Sequence, residues 1–196
     1  EYLVATFIWA AYQEYYRHIT KDRPIRVAVP VNLRPYFDSI TTKNFFVMVS
    51  AEFAPEKDDY TFEEIVELTR ASLKEQINKE HLEKIFSYNV SNEQMVVARA
   101  VPLFLKNMAM RFVYTQSALA NTTTVTNIGN ISVSEEYRPY VEMFHAFLAM
   151  SKGQHLKGTI CSYGDTLVFS FSYDLTDTSV QRLSLIHISE PTRHLR

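Results

Sequence analysis

Six histidines, a single cysteine and 22 carboxylates are among the side chains of this 196-residue chain that could do acid–base, covalent or metal chemistry. Their spacing assembles no recognisable centre. Cys161 is alone, and His18, His81, His145 and His155 are scattered without the short intervals that bring ligands together, so no metal site is expected. The chain has no GxSxG elbow and no Gly-rich phosphate loop. His145, in EMFHAFLAM, interrupts an apolar run and reads as a core or edge histidine rather than a catalytic one. The acidic stretch 56–59 reads as a solvated loop, and Glu63, Glu64 and Glu67 as a solvated helix face.

Two polar spots fit these bland readings less well. Arg34, in VPVNLRPYF, follows an apolar run between Pro30 and Pro35. It is either the charged rim of a strand or a charge close to the interior, and a charge there needs a partner. The second spot is TVTNIGNIS, where Thr126, Asn127 and Gly129 interrupt an apolar strand. There an asparagine can hydrogen-bond a carbonyl, and a glycine lets another backbone or a ligand approach closely.

The elements that must position these residues follow from hydrophobic periodicity. Apolar residues at three- and four-residue spacings predict a helix over 2–18. Ile25–Asn32 is β-branched and nearly continuous in apolar character, as expected of a strand covered on both faces, with pairing interrupted near Pro30. A second strand is expected over 45–53. Thr61 and Glu64 form a capping box that opens a helix, and a weaker version at 91–94 predicts a further helical stretch through 101–114, begun or kinked at Pro102. Strands are then expected at 122–128, 146–151 and 158–163, the last joined to Thr166–Tyr173 as a hairpin through Gly164 and Asp165. A final helix should start near Thr176 or Asp177. Helices and strands mixed without a regular βαβα repeat point to an α+β class, a mixed-sheet α/β sandwich.

Composition sets the outer bounds. With 46% hydrophobic residues and 4 glycines the chain can bury a real core, and a net charge of -2 gives no reason to expect nucleic acid or an anionic membrane as partner. One cysteine excludes an intrachain disulfide framework and fits a reducing, cytoplasmic setting. No uncharged apolar run is long enough to span a membrane. The first residue is Glu1 and a helix is already under way at residue 2, so the natural start is expected upstream. At the other end LSLIHISEPTR, residues 183–193, reads as the translation of a transposon-end sequencing adaptor. Residues 183–196, with His187 and His194, are therefore set aside as non-native, and 1–182 read as one domain.

Five segments in order carry a resemblance: RPIRVAVPVNLRPYF and KNFF within 23–46, YTFEEI at 60–65, VPLFLKNMAMRFVY at 101–114, TNIGNISVSEEYRPYVEMF at 126–144 and SYGDTLVFSFS at 162–172. Together they resemble the C-terminal lobe of the CoA-dependent acyltransferase superfamily, which includes chloramphenicol acetyltransferase and the condensation domains of peptide synthetases. The likeness is closest to bacterial alcohol acetyltransferase-like proteins. It implies a lobe whose mixed sheet is covered by helices, one of two lobes that enclose an active-site tunnel. It further implies acyl-CoA as co-substrate, no permanently bound cofactor, and a small alcohol or amine as acceptor.

In that family the second histidine of an HHxxxD motif takes the acceptor's proton, and the acceptor attacks the thioester without a covalent acyl-enzyme; such general base catalysis is worth about 10²–10⁴-fold. The tetrahedral oxyanion also needs a donor. No HHxxxD occurs here. The resemblance places that motif in the missing N-terminal lobe, so this chain holds no catalytic residue and is expected to be inactive by itself. By the same resemblance Arg34 matches the arginine that pairs with the motif's aspartate, Asn44 falls near the polar residue closing that loop, and Thr126, Asn127 and Gly129 match a strand approached by thioester or acceptor. A non-catalytic interaction domain of the same fold, or a condensation domain fed by a carrier protein, is the alternative.

Overall fold

A computed structural model describes residues 1–16, 24–94 and 101–189 of the chain. Helix α1 (Tyr2–Ala11) runs into a wider π-helical turn (Tyr12–Tyr16). Strands β1 (Ile25–Asn32) and β2 (Phe46–Phe53) follow, then helices α2 (Phe62–Gln76), α3 (Lys79–Gln94) and α4 (Leu103–Leu119). Strand β3 (Thr123–Asn130), a short 3-10 turn (Arg138–Tyr140), β4 (Leu156–Tyr163), β5 (Thr166–Tyr173) and helix α5 (Ser179–Ser189) complete the described elements.

The five strands form one open mixed sheet in the order β2-β1-β3-β4-β5. β1 is antiparallel to β2 and parallel to β3, β3 is parallel to β4, and β4 and β5 make the expected hairpin. Alternate residues point to opposite faces. Helices α1, α2 and α5 cover the first face, where Val27, Val49, Phe53, Val125 and Ile160 meet Phe7, Ile8 and Ile65. Burying each such side chain contributes about 1.5–3 kcal/mol. Tyr12, 2% exposed, stacks edge-on against Phe53 and Tyr60 and donates its hydroxyl proton to the Asp58 carbonyl at 2.7 Å.

Local signals explain most element ends. The capping box at α2 forms as its sequence requires: Thr61 Oγ1 accepts from the Glu64 amide at 3.2 Å, and Glu64 Oε2 accepts from the Thr61 amide at 2.8 Å. Asp177 performs the same service for α5, accepting from the Ser179 amide at 2.9 Å. The outer edge of β2 is closed by α2: Gln76 Oε1 accepts from the Ser50 amide at 3.1 Å while its Nε2 donates to the Ser50 carbonyl at 2.7 Å, and Ser72 Oγ accepts from the Glu52 amide at 3.2 Å.

Three expectations are corrected. Residues 146–151 are not a strand, because β4 already has β3 on one side and β5 on the other and offers them no edge. The stretch 91–94 does not open a helix; it is the last turn of α3, while α4 starts after Pro102 at its N-cap. β1 is covered on both faces only around Val27 and Ala28; Pro30 and Asn32 face an open cleft, and pairing with β3 ends at Ala28 while pairing with β2 continues past Pro30. Residues 183–189, set aside on sequence grounds, lie in α5, where Trp9 Nε1 donates to His187 Nε2 at 2.8 Å. No helix among the described residues is long and apolar enough to cross a membrane. α4 leaves Leu103, Phe104, Met108 and Phe112 exposed.

Candidate functional site

The second face of the sheet carries a cleft of about 440 Å³ between β1, β2, β3 and the loop that joins β1 to β2. Four of the five residues singled out from the sequence line it: Arg34, Asn44, Thr126 and Asn127. Its apolar side includes Pro30, Phe45, Phe46, Met48 and Leu148. Among the described residues Arg34 and Lys43 supply two cations, and no carboxylate lines the cleft.

Arg34 is held by the loop it organises. Leu33, fully buried, plugs the loop into the core, and its amide donates to the Phe45 carbonyl at 3.0 Å. One residue on, the guanidinium turns back across the loop. Nε and Nη2 donate to the Thr41 carbonyl at 3.1 and 3.0 Å, and Nη2 also reaches the Lys43 carbonyl at 2.7 Å. Nη1 donates to Asn32 Oδ1 at 3.3 Å, which also accepts from the Arg34 amide at 3.1 Å. The partner a half-buried charge requires is thus a set of carbonyl oxygens, and no carboxylate pairs with Arg34 among the described residues. Asn44 is exposed on the same loop and makes no side-chain hydrogen bond among the described residues.

On β3, Thr126 and Asn127 pair in register with Thr159 and Ile160, and the register then slips so that Gly129 faces Cys161. Asn127 builds this bulge: its Oδ1 accepts from the Gly129 amide at 2.9 Å. Two sequence readings change here. Asn127 uses its side chain as an acceptor for a local amide rather than bonding a carbonyl. Gly129 is required by its φ of 85° and not by a close approach, since nothing lies within 4 Å of where its Cβ would be, and it does not line the cleft.

Residues 141–155 form a strap across this second face, held by side chains instead of a backbone ladder. Lys157, only 6% exposed, donates from Nζ to the Ala149 carbonyl at 2.7 Å and to Ser151 Oγ. Cys161 Sγ donates to the Phe144 carbonyl at 3.2 Å, and Thr124 Oγ1 to Gln154 Oε1 at 3.2 Å. His145 lies exposed on the strap, its ring stacked on Phe147, so it is neither a core nor a strand-edge residue.

Sequence reasoning missed Lys157, whose burial depends on the strap, and also the pair His155–Asp174, with Nδ1 and Oδ1 2.9 Å apart. Counting outward from the Gly164–Asp165 turn would have found the pair, since β4 and β5 run in register back to Leu156↔Tyr173. It sits beside a hollow of about 540 Å³, lined by Arg26, Thr122, His155 and Asp177 and far along the sheet from Arg34. The charges there are already engaged: Arg26 with Glu52 at 2.9 Å, and Asp177 with Ser179 and with the Tyr15 hydroxyl at 3.0 Å. Hydrogen bonds from Ser179 first, and then Tyr15, hold the Asp177 carboxyl below its ordinary value. No group of three metal-ligating side chains occurs among the described residues, and His18 and His194 lie outside them. Compared with known proteins, the chain matches no family model and none of the curated sequences, so the cleft is read from its own geometry.

Proposed function

We propose that the chain is the C-terminal, chloramphenicol acetyltransferase-like lobe of an acyl-CoA-dependent O- or N-acyltransferase, and that the Arg34 cleft is its share of the thioester site. The observation that carries this is the convergence of Arg34, Asn44, Thr126 and Asn127 on one cleft whose described lining has two cations and no carboxylate. Such a lining suits an acyl group carried on a phosphorylated, anionic donor. Arg34 orders the loop that forms one wall. The catalytic histidine belongs to the other lobe: it takes the proton of an alcohol or amine acceptor, the acceptor oxygen or nitrogen attacks the thioester carbonyl, the C–S bond breaks, and the thiol departs with a proton. A soluble acyl-CoA donor fits the cytoplasmic setting inferred from cysteine usage.

The test is the reading frame upstream of Glu1. An HHxxxD motif there, and acyl transfer by the two lobes together, is the expected result; a frame without such a motif, or a complete protein that binds no acyl-CoA, removes the proposal. The exposed apolar side chains of α4 favour a second reading, an interaction domain of the same fold. That reading is supported if the complete protein binds a macromolecular partner but no acyl-CoA.

A further inference from the structure

The cleft is polarised along its length. Its cations, Arg34 and Lys43, belong to the loop beyond the end of β1. Toward the other end, Thr124 lines the cleft and is the register partner of Lys157 on β4. Lys157 in turn holds the carbonyl of Ala149, the residue after Leu148. Leu148, half-buried, is the strap's contribution to the cleft lining, and it shares that lining with the apolar Pro30 and Met48. No backbone ladder fixes Leu148 in place; the nearest anchors are the Lys157 and Ser151 contacts and the isolated bridge between Ser151 and Gln154.

We infer that Leu148 is the end wall that sets how long an acyl chain the cleft accepts, and that Lys157 is a positioning residue that holds this wall against the sheet. The inference rests on the thioester reading above and adds to it a determinant of chain length. A buried lysine whose partners are a carbonyl and a hydroxyl is suited to this work: its ammonium supplies more than one donor at a fixed height above β4, and its burial leaves it no alternative partner in solvent. Each methylene admitted or excluded changes affinity roughly fourfold, so a wall moved by the size of a leucine side chain produces a measurable change of preference.

The experiment measures binding of the ethyl, hexyl and decyl thioethers of coenzyme A to the 196-residue chain by calorimetry. Leu148→Ala is expected to shift the preference toward the decyl compound and Leu148→Trp toward the ethyl compound, each by about tenfold. An unchanged profile in both variants overturns the inference. Lys157→Met should flatten the profile and speed amide exchange over residues 144–151, and Lys157→Arg should restore both; a Lys157→Met protein with the parental profile overturns the positioning role. If Lys157→Met does not fold, the Leu148 pair still decides the end wall. If no thioether binds the parent chain, the same series is measured on the complete protein, and absence of binding there removes the thioester reading. The end wall is then decided by NMR titration with butanol, hexanol and decanol: loss of decanol-induced shifts at Thr126 in Leu148→Trp supports it, and their persistence refutes it.

Discussion

Strand β1 has an arginine near each end, and the two are employed differently. Arg26, at the start, reaches across to Glu52 on β2 with contacts of 2.9 and 3.2 Å, and both side chains are more than a third exposed. Arg34, just past the end, faces no carboxylate among the described residues and spends its donors on the carbonyls of Thr41 and Lys43 and the amide oxygen of Asn32. The Arg26 pair joins two strands that the backbone ladder already joins, so it contributes little order. Arg34 closes a loop that no ladder crosses, and that loop is one wall of the cleft. The value of an arginine here depends on what would be loose without it more than on whether an opposite charge is near.

The largest expected effect follows from removing the loop-closing side chain. Arg34→Ala should lower stability by about 2 kcal/mol, the scale of lost hydrogen bonds from a charged donor, and raise amide exchange over residues 33–45. Arg34→Lys should recover only part, because an ammonium cannot reproduce the planar fork that serves two carbonyls. Urea titration that places Arg34→Ala within error of the parent would break the comparison. Next is Gly129→Ala, expected to cost about 1–2 kcal/mol through backbone strain alone, as the added methyl meets nothing. A neutral result would mean that the bulge relaxes at no cost.

Arg26→Ala should be milder, within about 1 kcal/mol and weaker still in high salt, as befits an exposed pair. The smallest effect concerns Glu64, whose carboxyl is held below its ordinary value of 4.5 first by the hydrogen bond from Lys57 and then by the Thr61 amide. A carboxylate with a depressed folded-state pKa stabilises the fold above the unfolded value, and that stabilisation is lost as pH falls through the folded value. Glu64→Gln keeps the capping geometry, so its melting temperature should fall slightly below the parent's at pH 7 and converge with it in acid. A constant difference across that range would assign the effect to geometry instead of charge.

What was legible in the sequence is what local pattern decides. Hydrophobic pattern alone places β1 and β5 at the boundaries they have, the turn at Gly164 and Asp165 announces the hairpin, and the capping box at Thr61 marks the start of α2. The mixed α/β class followed from the order of elements. Failures occurred where a neighbour decides. Apolar residues over 146–151 have strand-like composition but meet a strand with both edges taken, so they cross the face of the sheet instead. Lys157 looks like a surface residue until the strap covers it. Four site residues converge on a cleft although they come from separate segments, a convergence that spacing along the chain could not show. Gly129 shows the opposite case: its type stands out in the strand pattern, yet its reason is a dihedral angle set by Asn127.

The Gln76 amide at the margin of β2 has a consequence for assembly. Its oxygen and nitrogen occupy the Ser50 amide and carbonyl much as one residue of an added strand would, while β5 on the far side carries no such cover among the described residues. Growth of a sheet into a fibre needs two sticky borders on every molecule. With the β2 border blocked at Ser50 and Glu52, any strand addition through β5 would join two molecules and then terminate.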